Sequence, residues 1–290
     1  MMMARSSGVN RILRVRSSTV RRSSSSAAPL VSEDESKLKL YQYAICPFCH
    51  KAKALLSYAS VPHEIVEVNP LNKAELKTLA DQSVKKVPIA VLEQKDGRSV
   101  QINGSNDIIE ALLEDPKVMN TLQNKWAGTE MTMEAFKQGE NVERWWYRYA
   151  DDDLAALLYP NVCRTLSDSR KAFAYVKDVE HFSAMQKFLV ANIGSLAMYF
   201  AASKIKSKRN IKDEQKALQT TLDLFENEAL AQGQHLFASQ NSVPDMGDIA
   251  VYGVLSSVKG LPVHDYVLQQ SRESDVLMDW YARMEEEVHS

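Results

Sequence analysis

Tyr43-Ala44-Ile45-Cys46-Pro47-Phe48-Cys49-His50 lies between two segments of different periodicity. Before it, Leu38 to Tyr43 reads as a strand. After it, Lys51 to Tyr58 reads as helix. Two cysteines separated by two residues at a strand-to-helix junction form a thiol–disulfide motif. The unpaired N–H groups and positive dipole end of the helix favour a thiolate there, so the spacing predicts a lowered pKa for Cys46.

Working outward, Lys37-Leu38-Lys39-Leu40-Tyr41-Gln42-Tyr43 alternates polar and apolar residues, as a half-buried strand does. Ala52, Leu55, Leu56 and Ala59 predict a helix from Phe48 to Ser60, stopped by Val61-Pro62. Glu64 to Val68 is a second strand. Asn72 is placed to cap a helix reaching Asp81. Val87 to Leu92 is a third strand, Lys95-Asp96-Gly97-Arg98 a hairpin turn, and Ser99 to Ile102 a fourth strand. Asn103-Gly104-Ser105 then starts a helix over Asn106 to Leu113, with Ser105 readable as its N-cap or as a hydroxyl able to hold a carboxylate. The order β-α-β-α-β-β-α fits a thioredoxin-like domain ending near Glu114. In such folds the proline equivalent to Pro88 is cis and faces the cysteines. The residue before it, here Val87, offers backbone groups to glutathione.

The chain has 290 residues, enough for about two domains, with 45% hydrophobic and 25% charged residues and a formal charge of −2. That charge gives no case for a nucleic-acid partner. Three cysteines, Cys46, Cys49 and Cys163, are too few for a disulfide framework and suit a reducing compartment. No uninterrupted apolar run approaches the roughly 18 residues a bilayer span needs, so no transmembrane segment is expected. Residues 1–35 differ from the rest. They hold six arginines, many serines and no acid before Glu33, the composition of a mitochondrial import segment, with a cytoplasmic basic tail as the alternative.

Residues 115–139 show little periodicity and read as a linker. From 140 to 290 the pattern is helical throughout. Trp145 and Trp146 belong to an apolar stripe expected to pack between domains. Asp151-Asp152-Asp153 reads as a partly solvated stretch, since consecutive helical residues point different ways. Cys163 reads as a buried apolar side chain. The basic run from Lys204 to Arg209 reads as a solvated helix end, with a peripheral membrane contact as the other use of such residues. Asp245 and Asp248 form a capping box ahead of the apolar helix Ile249 to Val258. An α/β thioredoxin-like domain at 36–114 followed by an all-α domain is the glutathione-transferase plan.

Four readings of Cys46-Pro47-Phe48-Cys49-His50 compete. It is a glutaredoxin-like dithiol with Cys46 the exposed nucleophile and Cys49 the resolving thiol, half of a zinc site, a Cys-x-x-Cys-His haem attachment, or structural. The helical half bears on the choice. Trp145-Trp146-Tyr147-Arg148-Tyr149-Ala150-Asp151-Asp152-Asp153-Leu154, Pro160-Asn161-Val162-Cys163-Arg164-Thr165 and Ala250-Val251-Tyr252-Gly253-Val254-Leu255 resemble the prostaglandin E synthase type 2 family. So do Cys46-Pro47-Phe48-Cys49, Val66-Glu67-Val68-Asn69-Pro70 and Lys86-Val87-Pro88-Ile89. The resemblance runs over about residues 38 to 285.

This resemblance implies glutathione-dependent isomerisation of prostaglandin H2 to prostaglandin E2, with Cys46 as the catalytic thiol and Tyr43 able to hydrogen-bond its sulfur. Phe48, Cys49, Val87, Pro88, Gly104 and Ser105 are the implied substrate and glutathione residues. It also implies a homodimer, and a site that takes haem together with glutathione, with Cys46 the thiolate contact to iron. The alternative function is a glutathione-linked thiol–disulfide oxidoreductase or a non-catalytic haem-binding protein. The chain departs from the family at Gly104, where an Asp helps hold the glutathione amine and Asp107 is the candidate substitute. It departs again at His50, which reads as a half-exposed helix residue, a thiolate stabiliser or a haem ligand.

Overall fold

The computed structural model describes residues 37–94, 97–129, 131, 136, 142–270 and 274–290. The basic segment 1–35 with its import reading, Lys95-Asp96 of the hairpin and much of 130–141 lie outside the described residues.

The alternation seen in the sequence builds a four-stranded sheet in the order β2-β1-β3-β4 from β1 (Lys37–Gln42), β2 (Glu64–Glu67), β3 (Ile89–Glu93) and β4 (Ser99–Asn103). β1 and β2 are parallel, and the other pairs are antiparallel. Successive side chains point to opposite faces. Leu38, Leu40, Ala90 and Leu92 therefore face the main core under α1 (Pro47–Tyr58) and α2 (Ser105–Leu113). Tyr41, Ile89 and Val91 face a smaller cluster with Val68, Leu76 and Leu79. Between β2 and β3 the expected helix shrinks to a 3-10 turn, Ala74–Thr78. Lys73 enters it in the left-handed conformation (φ 51), which an α-helix cannot contain. Lys73, not Asn72, takes the N-cap position, and Asn72 one residue earlier accepts from the Ala74 amide through Oδ1 at 3.0 Å.

The stretch read as a linker contains a helix, α3 (Pro116–Lys125), capped by Asp115, which accepts from the amides of Lys117 and Val118. Only Val118 and Leu122 of this helix are buried, too few positions to show a period.

The helical half follows. α4 (Val142–Tyr149) runs through a π turn, Ala150–Leu154, into α5 (Ala155–Val162). After α6 (Leu166–Ala172), α7 (Ala184–Leu189) runs through a second π turn, Val190–Gly194, into α8 (Ser195–Lys208). Then come α9 (Glu214–Leu224), α10 (Met246–Ser256), α11 (Pro262–Asp265) and α12 (Val276–His289). Ala184–Lys208 departs from the sequence expectation. Its 25 residues, with a mean hydropathy of 1.4 in the best window, meet the length and composition for a membrane span. One face of this helix is tied into the fold as a wall of the cleft described below.

α10 is the centre of the molecule. Every residue from Met246 to Leu255 is buried. Its N-terminus carries the expected capping box, with Asp248 N donating to Asp245 Oδ1 at 2.9 Å and Asp245 N to Asp248 Oδ2 at 3.3 Å. α1 lies directly against it. A Cβ at Gly253 would stand 2.6 Å from Lys51 Cα and 2.9 Å from the His50 carbonyl oxygen, so only glycine permits this approach. Trp146 does not pack between the two halves as expected. It lies inside the helical half, edge-on to Phe225 at 5.1 Å, while Trp145 is 45% exposed.

Candidate active site

Cys46 is the N-cap of α1, in extended conformation, and Pro47 supplies the first helical residue, where no N–H is needed. The Cys46 sulfur accepts from the Cys49 amide at 3.4 Å. Polar groups of Cys49, Phe48 and Tyr159 around it favour its ionised form. The thiol contact with Cys49 is the largest cause of a lowered Cys46 pKa, and burial opposes it. Burial, with the Cys46 charge beside it, pushes Cys49 well up. The two cysteines thus divide, with the Cys46 pKa lowered and the Cys49 pKa raised.

One expectation is corrected. Cys46 is not an exposed nucleophile but 3% exposed, and Cys49 is fully buried. Beside them opens an apolar cleft of about 400 Å³ whose walls include Tyr43, Ile45, Tyr159, Tyr175 and Met198. A groove of about 550 Å³ lies on the other side of Ile45 and Tyr175, and it is lined with Lys53, Lys171, Lys177 and Lys259. The first is the more apolar of the two, and its wall includes Tyr43 and Ile45, which lead directly into Cys46.

Tyr43 stands where expected, in the cleft wall, and burial raises its hydroxyl to about 12, so it stays protonated. Its carbonyl accepts from the Cys46 amide at 2.9 Å. Tyr159, a residue to which sequence reasoning gave no role, stands in the same cleft wall. Glu67 was read only as part of a strand. It is 8% exposed, and it accepts from the Ala44 amide at 2.8 Å and from Gln42 Nε2 at 3.2 Å, which fixes the loop ahead of Cys46.

The Val87-Pro88 bond is cis, as implied. Because Tyr41 pairs with Ile89, the end of β1 that leads to Cys46 lies beside Pro88. The Gly104 amide donates to the Pro88 carbonyl at 2.9 Å, which brings the start of α2 to the same place. Val87 and Tyr43 pack on the same cluster. Ser105 is not the N-cap. Gly104 holds that position at φ 96, and Ser105 is a buried first residue of α2. Asp107 is exposed in the first turn of α2. The backbone at Val87 ahead of the cis proline and the start of α2 at Ser105 are the elements that could hold glutathione. Phe48 is half-buried against the main core and is not among the residues lining the cleft.

His50 is explained by packing. Its Nε2–H donates to the Ala44 carbonyl at 2.8 Å. Burial, helped by the Lys53 charge, brings its pKa down to about 3, so the ring is neutral and Nδ1 accepts from Ser256 Oγ at 3.0 Å. Both nitrogens are taken. With Cys46 shielded as well, the residues present do not fit a haem iron, and no step here is routed through haem. Among the described residues no group of three His, Cys, Asp or Glu side chains can hold a metal ion. The neutral His50 has a consequence for stability. Below pH 6.5 the unfolded chain takes up a proton that the native chain refuses down to about pH 3, so stability falls with pH by up to about 1.4 kcal/mol per unit. His50→Gln is expected to flatten this. Chemical denaturation between pH 6.5 and about 4.5 should show the natural chain losing about 2 kcal/mol more than the variant, and equal losses would refute the assignment.

Lys51, the next residue, joins the two halves. Its Nζ meets both Asp151 carboxylate oxygens at 2.6 Å and Asn106 Oδ1 at 2.7 Å, above the Tyr147 ring. Asp151 lies in the π turn that follows α4 and points inward, while Asp152 and Asp153 are exposed. Removing one partner of such a buried pair costs about 3–5 kcal/mol.

Residues 40–118 match the family of glutathione S-transferase N-terminal domains. The beta-etherase LigF of Sphingobium sp. strain SYK-6 superposes with a TM-score of 0.51 at 17% identity, covering 86% of this chain and 94% of that one, and shares the fold. Fold and cysteine site together define a glutathione-transferase-like protein. Prostaglandin E synthase 2 of Mus musculus is 31% identical over 305 aligned positions, 92% of this chain and 74% of the relative. Its namesake in Danio rerio is 30% identical over 86% of this chain and 70% of the relative. The chain belongs to the prostaglandin E synthase 2 family.

Proposed function

We propose that the chain isomerises prostaglandin H2 to prostaglandin E2 with glutathione as cofactor and Cys46 as the catalytic thiol. The observation that carries this reading is Cys46, its sulfur accepting from the Cys49 amide at 3.4 Å and its pKa lowered, directly after Ile45 in the wall of an apolar cleft of about 400 Å³ suited to a lipid. The O–O bond of the endoperoxide is weak. As it opens, one ring carbon gives up its proton and its oxygen becomes a ketone, while the other oxygen gains a proton and becomes a hydroxyl. Nothing is oxidised or reduced overall. A sulfur that can accept or donate a proton next to the ring serves both transfers. Glutathione is held by the Val87 backbone and by Ser105 at the start of α2.

The closeness of Cys49 to the Cys46 sulfur, to which its amide donates at 3.4 Å, favours a second reading, glutathione-linked thiol–disulfide exchange, in which Cys49 resolves a mixed disulfide on Cys46. The test of the first reading is the yield of prostaglandin E2 from prostaglandin H2 with the purified chain, with and without glutathione. A glutathione-dependent yield above spontaneous decay is expected. A yield equal to spontaneous decay overturns it.

A further inference from the structure

The groove of about 550 Å³ beside the cleft has no part in the proposed reaction. Four lysines converge on it from four places in the chain. They are Lys53 on α1, Lys171 on α6, Lys177 on the 3-10 turn Ala174–Asp178, and Lys259 after α10. The acids in its lining are Asp178 and Glu285, and Glu285 is paired with Lys259. The ammonium groups of Lys53, Lys171 and Lys177 have no ion pair or hydrogen bond among the described residues. Like charges gathered round one concave surface repel one another and raise the local concentration of anions.

Lys53 is the most enclosed of the three. It is half-buried, and burial lowers its pKa against the opposing charges of Cys49 and Glu67. An ammonium in that setting gains from a ligand charge that replaces the water it has lost. Ser57, one turn further along α1, lines the same groove, and its hydroxyl bonds nothing else among the described residues. Lysine serves phosphate as a compact point charge, without the planar fork by which arginine selects carboxylates. The groove is too large for a phosphate ion alone and lies within the roughly 300–1,000 Å³ of organic-ligand sites. Ile45, Ala54, Leu261 and Val288 give it an apolar side, together with the Tyr175 ring.

We propose that this groove binds a soluble organic phosphate of nucleotide size, with its phosphates on Lys53, Lys171 and Lys177 and its apolar part against Ile45 and Tyr175. Ile45 and Tyr175 wall both groove and cleft, but the lysines face only the groove. The inference does not rest on the isomerase reading.

The test is isothermal titration calorimetry on the full chain, in magnesium-free buffer at about 0.15 M salt, where loose surface attraction is screened. Adenosine triphosphate and inorganic tripolyphosphate are the probes. Saturable binding of adenosine triphosphate at a single site is expected, tighter than that of tripolyphosphate, which has more charge and no apolar part. Lys53→Gln should weaken it at least about tenfold, the scale of one hydrogen bond to a charged group. The double variant Lys171→Gln, Lys177→Gln changes two exposed residues and should weaken it as much, which keeps the test open if the Lys53 variant does not fold. Lys208→Gln, at the exposed end of α8 and outside the groove, should leave binding unchanged. No binding of adenosine triphosphate overturns the inference. So does binding that survives the groove variants, or that falls as far with Lys208→Gln. Tripolyphosphate bound as tightly as adenosine triphosphate overturns the organic ligand.

Discussion

Asp248→Ala is expected to destabilise the chain by about 4–6 kcal/mol, a large part of the stability of a domain this size. The carboxylate is fully buried and accepts four hydrogen bonds. Oδ1 takes the Ala238 amide and the Trp280 indole N–H, both at 2.8 Å, and Oδ2 takes the Ser239 amide at 3.1 Å and the Asp245 amide at 3.3 Å. Burial pushes the Asp248 pKa up, and these four donors oppose it. Alanine leaves all four donors buried and unpaired, at about 1–3 kcal/mol each before relaxation. It also removes the capping box of α10, the helix against which α1 and its cysteine are set. Asp248→Asn keeps one acceptor oxygen and should lose about half as much. Urea denaturation of the three chains checks the order. An alanine variant within about 1 kcal/mol of the natural chain would show that the network does not carry α10.

Much of this was readable in the sequence, and the reasons differ by residue. The strands were legible because β1 and β3 each present one face to each cluster. The capping box was legible because Asp245 and Asp248 stand three apart ahead of an apolar run. The division between Cys46 and Cys49 follows from a helix N-terminus and a spacing of three. Other features depend on what the chain brings together across long separations. Tyr159 is 113 positions from Cys46 and looks like any aromatic residue in an apolar helix. Asp151-Asp152-Asp153 was read only as a partly solvated stretch, because consecutive residues of a regular helix point different ways. A π turn sets them there instead, and Asp151 meets Lys51. His50 was ambiguous because a ring's role depends on its partners, here Ala44 and Ser256. Ser105 was one position off because Gly104, at positive φ, takes the cap. α3 was missed because a helix buried at two positions has no visible period.

Cys46→Ser is expected to lower glutathione-dependent formation of prostaglandin E2 at least about a hundredfold, the scale of losing a proton-transfer group. A serine hydroxyl at the N-cap keeps the local hydrogen bond to the Cys49 amide, so α1 should form as before. What is lost is an ionised sulfur. Cys49→Ser should behave differently. The backbone amide of residue 49 still donates to the Cys46 sulfur, and the loss should stay below about tenfold. Under the exchange reading the order changes, because Cys49 must attack a mixed disulfide and serine cannot. The most direct measurement is therefore prostaglandin E2 yield, with glutathione, for the natural chain, Cys46→Ser and Cys49→Ser side by side. The isomerase account predicts activity in the natural chain, near-complete loss with Cys46→Ser and most of the activity kept with Cys49→Ser. Undiminished yield from Cys46→Ser would contradict it.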